Sequence, residues 1–92
     1  MLTLILAYVA LAPQSVELDL IEHMDPKTRL WAIQGAGHFK VTQAIERLFA
    51  RLEDANETAA NKAAAQEALQ SITSRSEKDA AAWRAWWKSK KK

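Results

Sequence analysis

The sequence predicts a small all-α domain, and its length and composition both support this. The chain has 92 residues, enough for one hydrophobic core but too few for two. It contains 18 alanines against two glycines and two prolines, so it is rich in helix formers and poor in turn residues. Without alanine only 27 large apolar residues remain, so the helices must approach closely over a thin core.

Charge and cysteine content exclude several classes of site. The chain has no cysteine, which excludes disulfides, a thiol nucleophile and a cysteine-built zinc site. Residues 1–75 carry seven basic and nine acidic side chains, whereas residues 76–92 carry six and two. The net charge of +2 therefore comes from the end of the chain.

Residues 1–12 are uncharged and almost entirely apolar. Twelve helical residues span about 18 Å, which is too short for a transmembrane helix. A signal peptide is one interpretation, because Ala10-Leu11-Ala12 has the small-x-small form of a cleavage site. However, no basic residue precedes the apolar run, and Pro13 follows it directly. We therefore favour a buried helix, and with it a cytoplasmic location over export.

Two helices are predicted over residues 16–37. Ser15 can cap a helix over residues 16–24. Asp25-Pro26 then starts another, because aspartate accepts bonds from free N–H groups and proline fits the first helical position. Gly35-Ala36-Gly37 predicts the end of this second helix.

The next segment, residues 42–72, contains the clearest amphipathic pattern. Thr42 is the predicted cap of a helix with an apolar stripe at i, i+3, i+4 and i+7 and polar residues on the other side. The stripe consists of Ile45, Leu48, Phe49 and Leu52, and the outward residues are Glu46, Arg47 and Arg51. Asp54 and Glu57 have the spacing of a capping box for an alanine-rich helix that follows.

A tryptophan-rich helix is predicted over residues 77–90, after a break at 71–76. Ser76 and Asp79 are its start signals. One face carries Ala80, Trp83, Trp86 and Trp87. The basic tail, residues 88–92, is expected to fray.

A spacing of 33 residues relates the two middle segments, pairing Arg29 with Lys62 and Ala32 with Ala65. The stretch from Asp25 to Gly37 resembles the turn and second helix of a HEAT or HEAT-like repeat. Residues 61–69 resemble a weaker second copy, and residues 79–87 are similar to the Trp-rich ends of some HEAT-like proteins.

The resemblance implies a short array of helix pairs over residues 16–37 and 42–72. It also implies that Asp25 and Arg29 form a hydrogen-bond ladder between neighbouring repeats. Two repeats leave both ends of the array open, whereas about three are needed for stability. We expect residues 1–12 and the Trp-rich helix to cap the ends; otherwise the open faces would drive homo-oligomerisation.

No catalytic, metal or cofactor site is predicted. His23 and His38 are the only histidines, and neither has a metal-ligand spacing such as His-Glu-x-x-His. The two glycines near residue 36 lack the strand and the lysine of a phosphate loop.

A non-enzymatic protein-binding or scaffold module is therefore the predicted function. The predicted contact residues are Trp31, Arg47, Arg51 and Trp86, and the predicted structural residues are Asp25, Pro26, Arg29, Trp83 and Trp87. The alternative is binding of nucleic acid or an anionic surface through Arg84, Lys88, Lys90, Lys91 and Lys92. It is less favoured, because the preceding helices offer no extended basic face.

Overall fold

The computed structural model describes residues 18–90, and all regular structure in this range is helical. Residues 18–20 are helical, and a 3₁₀ turn spans Thr42–Ala44. From Pro26 to Lys90 the chain forms the α-helices α1 (Pro26–His38), α2 (Ile45–Glu53), α3 (Ala59–Thr73) and α4 (Ala80–Lys90). The all-α prediction is confirmed, while the expected cap formed by residues 1–12 lies outside the described residues.

The main packing contact joins α1 and α3, and α2 packs on α3 and α4. Near the start of the first pair, Asn61 donates a hydrogen bond of 3.0 Å to the carbonyl of Pro26. Near the end, the Ser71 hydroxyl donates one of 2.9 Å to the carbonyl of Gly37. Since the first turns of α1 and α3 lie side by side, and so do their last turns, the two helices run parallel.

One cluster of buried apolar side chains joins all four helices. Its members are Ile21, Ala32, Ile33, Ala36, Ala44, Ile45, Leu48, Phe49, Ala65, Ala68, Leu69 and Trp83. Five of these twelve are alanine, which allows the helix axes to approach closely. The thin core expected from the composition is therefore present.

Gly37 lies at the closest approach of α1 and α3. A Cβ atom on this residue would be 2.8 Å from the Cα and 2.9 Å from the Cβ of Ala68. Real Cβ atoms are not found at such distances, so the two backbones can lie this close only because residue 37 lacks a side chain.

The predicted helix end at Gly35-Ala36-Gly37 is wrong. Helix α1 runs through both glycines to His38, and neither has a positive φ. The left-handed residue is Lys40, with φ of 52°. The N–H groups of Lys40 and Val41 donate to the carbonyls of Gly37 and Ala36, which satisfies the last turn of the helix.

Two other predicted helix starts are also wrong. Thr42 makes no side-chain cap and opens the 3₁₀ turn, so α2 begins at Ile45. Asp54 and Glu57 do not form a capping box, because α3 begins at Ala59 and its cap is Thr58, which accepts from the N–H of Asn61 at 3.0 Å.

The ends of the helix predicted over residues 16–24 and of the predicted alanine-rich helix are displaced as well. The described part of the first helix ends at residue 20 and is followed by a turn, rather than continuing to 24. Helix α3 continues to Thr73 and ends where Ser74 adopts a left-handed φ of 58°. The predicted start signal of the last helix is present, since Asp79 accepts from the N–H of Ala82 at 2.9 Å.

Helix α4 covers the end of the bundle formed by α2 and α3. Trp83 is fully buried, its ring centre lies 6.3 Å from that of Phe49, and its indole N–H donates to Gln66 at 2.8 Å. Trp87 packs edge-on against Phe49, and its N–H donates to Glu46 at 2.9 Å. Both indoles combine apolar burial with a satisfied N–H group.

We predict that Trp83→Ala lowers the free energy of unfolding by about 3 to 5 kcal/mol, because it removes the largest buried side chain and leaves a cavity. Urea unfolding measures the loss. Lys88→Ala, at an exposed position of the same helix, is the control and is expected to change stability by less than about 0.5 kcal/mol. An equal loss of stability for the two substitutions would contradict the role of Trp83 in covering the end of the bundle.

A second prediction concerns the helix contact at Gly37. Alanine favours helix over glycine, yet Gly37→Ala should destabilise by about 1 to 3 kcal/mol because the added methyl group overlaps Ala68. The matched control is Gln34→Ala on the exposed side of α1. A rise in melting temperature for Gly37→Ala would show that α1 and α3 lie further apart at Gly37 and Ala68.

Candidate protein-binding surface

A buried carboxylate, Glu57, joins α1, α2 and the start of α3. Its side chain is fully inaccessible to solvent. Arg29 from α1 donates from Nη2 at 2.7 Å and from Nε at 2.9 Å, and Arg51 from α2 donates from Nη1 at 3.0 Å. The Asn61 amide at 2.9 Å and the N–H of Thr58 at 3.0 Å complete the set. One charge therefore orients three helices.

The hydrogen bonds keep Glu57 ionised in spite of its burial. Burial alone raises the pKa of a carboxyl group, but the bonds from Arg29, Asn61, Thr58 and Arg51 outweigh it and lower the pKa of Glu57 to about 2. The same contact with Glu57 raises the pKa of Arg29. The Glu57 carboxylate is paired with charge and its remaining lone pairs are satisfied, the arrangement in which a buried ion pair is tolerated. Within residues 18–90, the Nε of Arg51 is the buried side-chain atom of this network that lacks a hydrogen-bond partner.

Arg29 also fixes the turn that precedes α1. Its Nη1 donates to the carbonyl oxygens of His23 at 2.8 Å and Met24 at 3.1 Å. The Asp25 carboxylate accepts from the Thr28 hydroxyl at 2.8 Å, which lowers the pKa of Asp25, and within residues 18–90 it makes no hydrogen bond with Arg29. The acid that pairs with Arg29 is Glu57.

An open groove of about 400 Å³ follows the contact between α1 and α3. Small side chains form most of its surface, and polar ones lie along its edges. The lining residues are Leu30, Gln34, Gly37, His38, Ala60, Ala63, Ala64, Glu67, Ala68 and Ser71. We call it the α1–α3 groove.

The side of α1 that faces away from α3 carries exposed aromatic residues. Trp31 is 66% and Phe39 69% exposed, and both line a shallow depression that includes Gly35. Apart from the backbone of α1 and the two chain neighbours of Gly35, no heavy atom of residues 18–90 lies within 4 Å of the position of a Cβ on Gly35. We call Trp31, Gly35 and Phe39 the α1 end face; a large exposed aromatic pair of this kind is typical of interaction sites.

The other predicted contact residues are more engaged within the chain. The Arg51 side chain is only 13% exposed and belongs to the Glu57 network, so little of it is open to a partner. Arg47 pairs with Glu22 and donates to the carbonyl of Leu18 at 3.2 Å.

Trp86 is half-buried on α4, between two cations. The guanidinium carbon of Arg75 lies 4.9 Å and the Nζ of Lys90 lies 5.3 Å from its ring centre. Such cation–π contacts hold the ring in place. Trp31 is thus the predicted contact residue with the most open ring.

The predicted anion-contact residues offer less free charge than the sequence suggests. Arg84 donates to both carboxylate oxygens of Glu53, at 2.7 and 2.9 Å, and this pairing lowers the pKa of Glu53. Lys88 is exposed on α4, and Lys90 covers Trp86. Lys91 and Lys92 lie outside the described residues.

The spacing of 33 residues has a clear structural basis. Ala32 and Ala65 are both buried, as are Ala36 and Leu69, and each pair lies on the parallel helices α1 and α3. A family model described as HEAT repeats matches residues 17–91. The chain belongs to the HEAT-repeat family. Searches of curated proteins and of solved structures give no match.

HEAT repeats generally mediate protein–protein interaction or scaffolding and are typically non-enzymatic. In this HEAT-repeat chain, α1 and α3 run parallel and carry the residues related by the spacing of 33, and the α1–α3 groove follows their contact. No helix among residues 18–90 is long and apolar enough to cross a membrane. The same residues contain no group of three or more potential metal ligands.

The role of Glu57 as the buried charge that joins three helices is not evident from the sequence. It precedes α3 in a loop, and its partners Arg29 and Arg51 lie 28 and 6 residues away. Its spacing from Asp54 predicts a capping box at the start of the next helix. Its charge partners are brought to it only by the packing of α1 and α2.

The Glu57 network predicts an acid-dependent loss of stability. Its folded pKa of about 2 lies below the ordinary value of 4.5, so the stabilisation is complete above about pH 4.5 and is lost as the pH falls towards 2. The loss is up to about 3 kcal/mol.

Glu57→Gln should remove most of this pH dependence and lower stability at pH 7, because it leaves two arginines without their carboxylate. Urea unfolding between pH 7 and pH 2 measures both effects. Glu67→Gln, which changes an exposed carboxylate on α3, is the control. The network would be disproved by an acid-induced loss that persists unchanged in Glu57→Gln.

Proposed function

We propose that this HEAT-repeat chain is a non-enzymatic protein-binding module that holds a partner segment in the α1–α3 groove, with Trp31 beside it. The observation that carries the proposal is the open groove between two rigidly paired helices, next to a tryptophan that is 66% exposed. Tryptophan is among the residues that most often dominate binding energy at protein interfaces.

The groove has the shape and chemistry of a site for a protein segment. Ala60, Ala63 and Ala64 line the α3 side of the groove with small apolar groups, which allows a partner backbone to approach closely. Gln34 on α1 and Glu67 on α3 lie exposed on opposite edges and can fix the orientation of the bound segment. A segment with small apolar side chains and a basic or amide group facing Glu67 fits this surface best.

The rigidity of the two walls supports the same proposal. The Glu57 network ties the start of α1 to the start of α3, and the contact between Gly37 and Ala68 ties their later turns. A preformed surface binds without the entropic cost of ordering its own backbone.

The positions of the histidines favour binding over catalysis. His23 precedes α1, where its Nδ1 accepts from the N–H of Asp25 at 3.0 Å, and His38 is the last residue of that helix. A helix of 13 residues, about 20 Å long, separates them. They cannot act together on one substrate atom.

Binding of nucleic acid or an anionic surface by the C-terminal helix is less well supported. Arg84 is neutralised by Glu53, and Lys90 lies over Trp86. The salt dependence of binding distinguishes this alternative from binding in the groove.

We predict that Ala63→Trp, which fills the groove, and Trp31→Ala each weaken partner binding by about tenfold or more. The partner is first identified by photo-crosslinking from position 60 in a lysate of the source and then purified for titration with the full chain. Ala81→Trp, an identical change at an exposed position of α4, should bind normally. Circular dichroism confirms that each variant is folded.

Equal affinity of all three variants would reject the groove as the contact surface. An affinity that falls steeply between 50 and 300 mM salt and is lost in Lys88→Ala/Lys90→Ala would instead select the anionic ligand.

A further inference from the structure

Glu67 differs from the other acidic side chains in the described part of the chain. It lines the α1–α3 groove, is exposed, and makes no hydrogen bond or ion pair with any of residues 18–90. Each other carboxylate in this range accepts a hydrogen bond or pairs with a cation. These are Asp19, Glu22, Asp25, Glu46, Glu53, Asp54, Glu57, Glu77 and Asp79. The charge of Glu67 is therefore available to a molecule that enters the groove.

The surroundings of Glu67 in the groove are apolar rather than basic. Among residues 18–90, those that line the groove include no lysine or arginine. Ala60, Ala63 and Ala64 lie on the same side of α3, in the turns that precede Glu67. A partner that covers these alanines removes part of the water around the neighbouring carboxylate, which is costly unless the partner supplies a counter-charge.

Lys40 lies near the end of the groove but does not supply that charge. Its Nζ donates to the carbonyl oxygen of Ser71 at 2.8 Å and to the Ser71 hydroxyl at 3.3 Å. Ser71 follows Glu67 by one turn of α3, so the ammonium group of Lys40 is held beyond Glu67. A partner cation is attracted by Glu67 and repelled from the Ser71 end of the groove.

The α1 end face suits an uncharged group instead. Trp31 and Phe39 line a depression of about 290 Å³ on the other side of α1 from the groove. Lys27 is exposed one turn before Trp31 on the same side of α1, and its charge disfavours a second cation there. An aliphatic side chain can bury apolar area against both rings without this repulsion.

The two sites are separated by a ridge on α1. Gln34 and His38 form this ridge, since both residues line the groove on one side and the aromatic depression on the other. A helix is about 10 to 12 Å wide, and three residues of an extended chain cover about 10 Å. One bound segment can therefore reach both sites when its two contact residues are at least three positions apart.

We propose that the partner segment is recognised by one lysine or arginine that pairs with Glu67, together with an aliphatic side chain that packs between Trp31 and Phe39. The two partner residues lie three or more positions apart, and Glu67 determines specificity for a cation. This inference rests on the proposed function of the groove and adds the charge of its ligand.

Selection from a phage library of random dodecapeptides, with the full 92-residue chain as bait, tests the proposal. The selected peptides should share a lysine or arginine at one aligned position, with an aliphatic residue at least three positions away. Selection on Glu67→Lys should favour aspartate or glutamate at that position. The control is Ala81→Lys, which adds a charge at an exposed position of α4 and should select the same peptides as the original chain.

Titration of a selected peptide, labelled with fluorescein, measures the ion pair directly. Glu67→Gln should weaken binding by about fivefold, the upper end of the effect of a partly exposed ion pair. Replacing the peptide cation with glutamine should cost the same factor in the original chain and nothing in Glu67→Gln. Ala81→Lys changes the net charge by the same single unit as Glu67→Gln and should bind the peptide normally.

Three results overturn the proposal: no peptide is selected, the selected peptides lack a common cation, or the effects of Glu67→Gln and of the peptide substitution are additive. Ala63→Trp distinguishes this failure from failure of the proposed function. If Ala63→Trp abolishes binding of peptides that lack a cation, the groove is a binding surface and only the assigned charge is wrong. If Ala63→Trp leaves peptide binding unchanged, both proposals fail. If no peptide is selected, the crosslinked partner still tests the proposed function.

Discussion

A single buried carboxylate sets the arrangement of this protein. Glu57 is shielded from water and can remain charged only because Arg29 and Arg51 reach it from two different helices. The penalty for burying an unpaired charge is large, so any rearrangement that separates these partners is strongly disfavoured. The network thereby holds the start of α1 beside the start of α3, and the position of the groove follows from it.

Close packing of small residues has a second consequence besides stability. Because Gly37 lies directly on Ala68, the two helices approach without large side chains between them, and the alanines next to this contact form a shallow open floor. The thin core and the groove are therefore two results of the same composition. The proposed binding surface therefore follows from the same close contact of α1 and α3.

Within residues 18–90, the two ends of the helix bundle differ in how much of their apolar surface is buried. At one end α4 buries Trp83 against Phe49 and satisfies its N–H through Gln66. At the other, Trp31 and Phe39 remain exposed beside Gly35. Repeat helices cannot bury both of their faces alone, so such an end requires a cover or a partner. The exposed rings of Trp31 and Phe39 therefore form a surface that either another helix or a binding partner can cover.

Local and periodic features of the sequence determined the helical class, the stripe of Ile45, Leu48 and Phe49, the start at Asp79 and the shared face of Trp83 and Trp87. These depend on residues within two helical turns of one another, and the spacing of 33 residues adds the family resemblance. Tertiary structure alone decided the roles of Gly37 and Glu57. A glycine that ends a helix and one that admits a neighbouring helix look alike in sequence, and Glu57 acquires its charge partner from a residue 28 positions away. Only the packed helices bring those groups together.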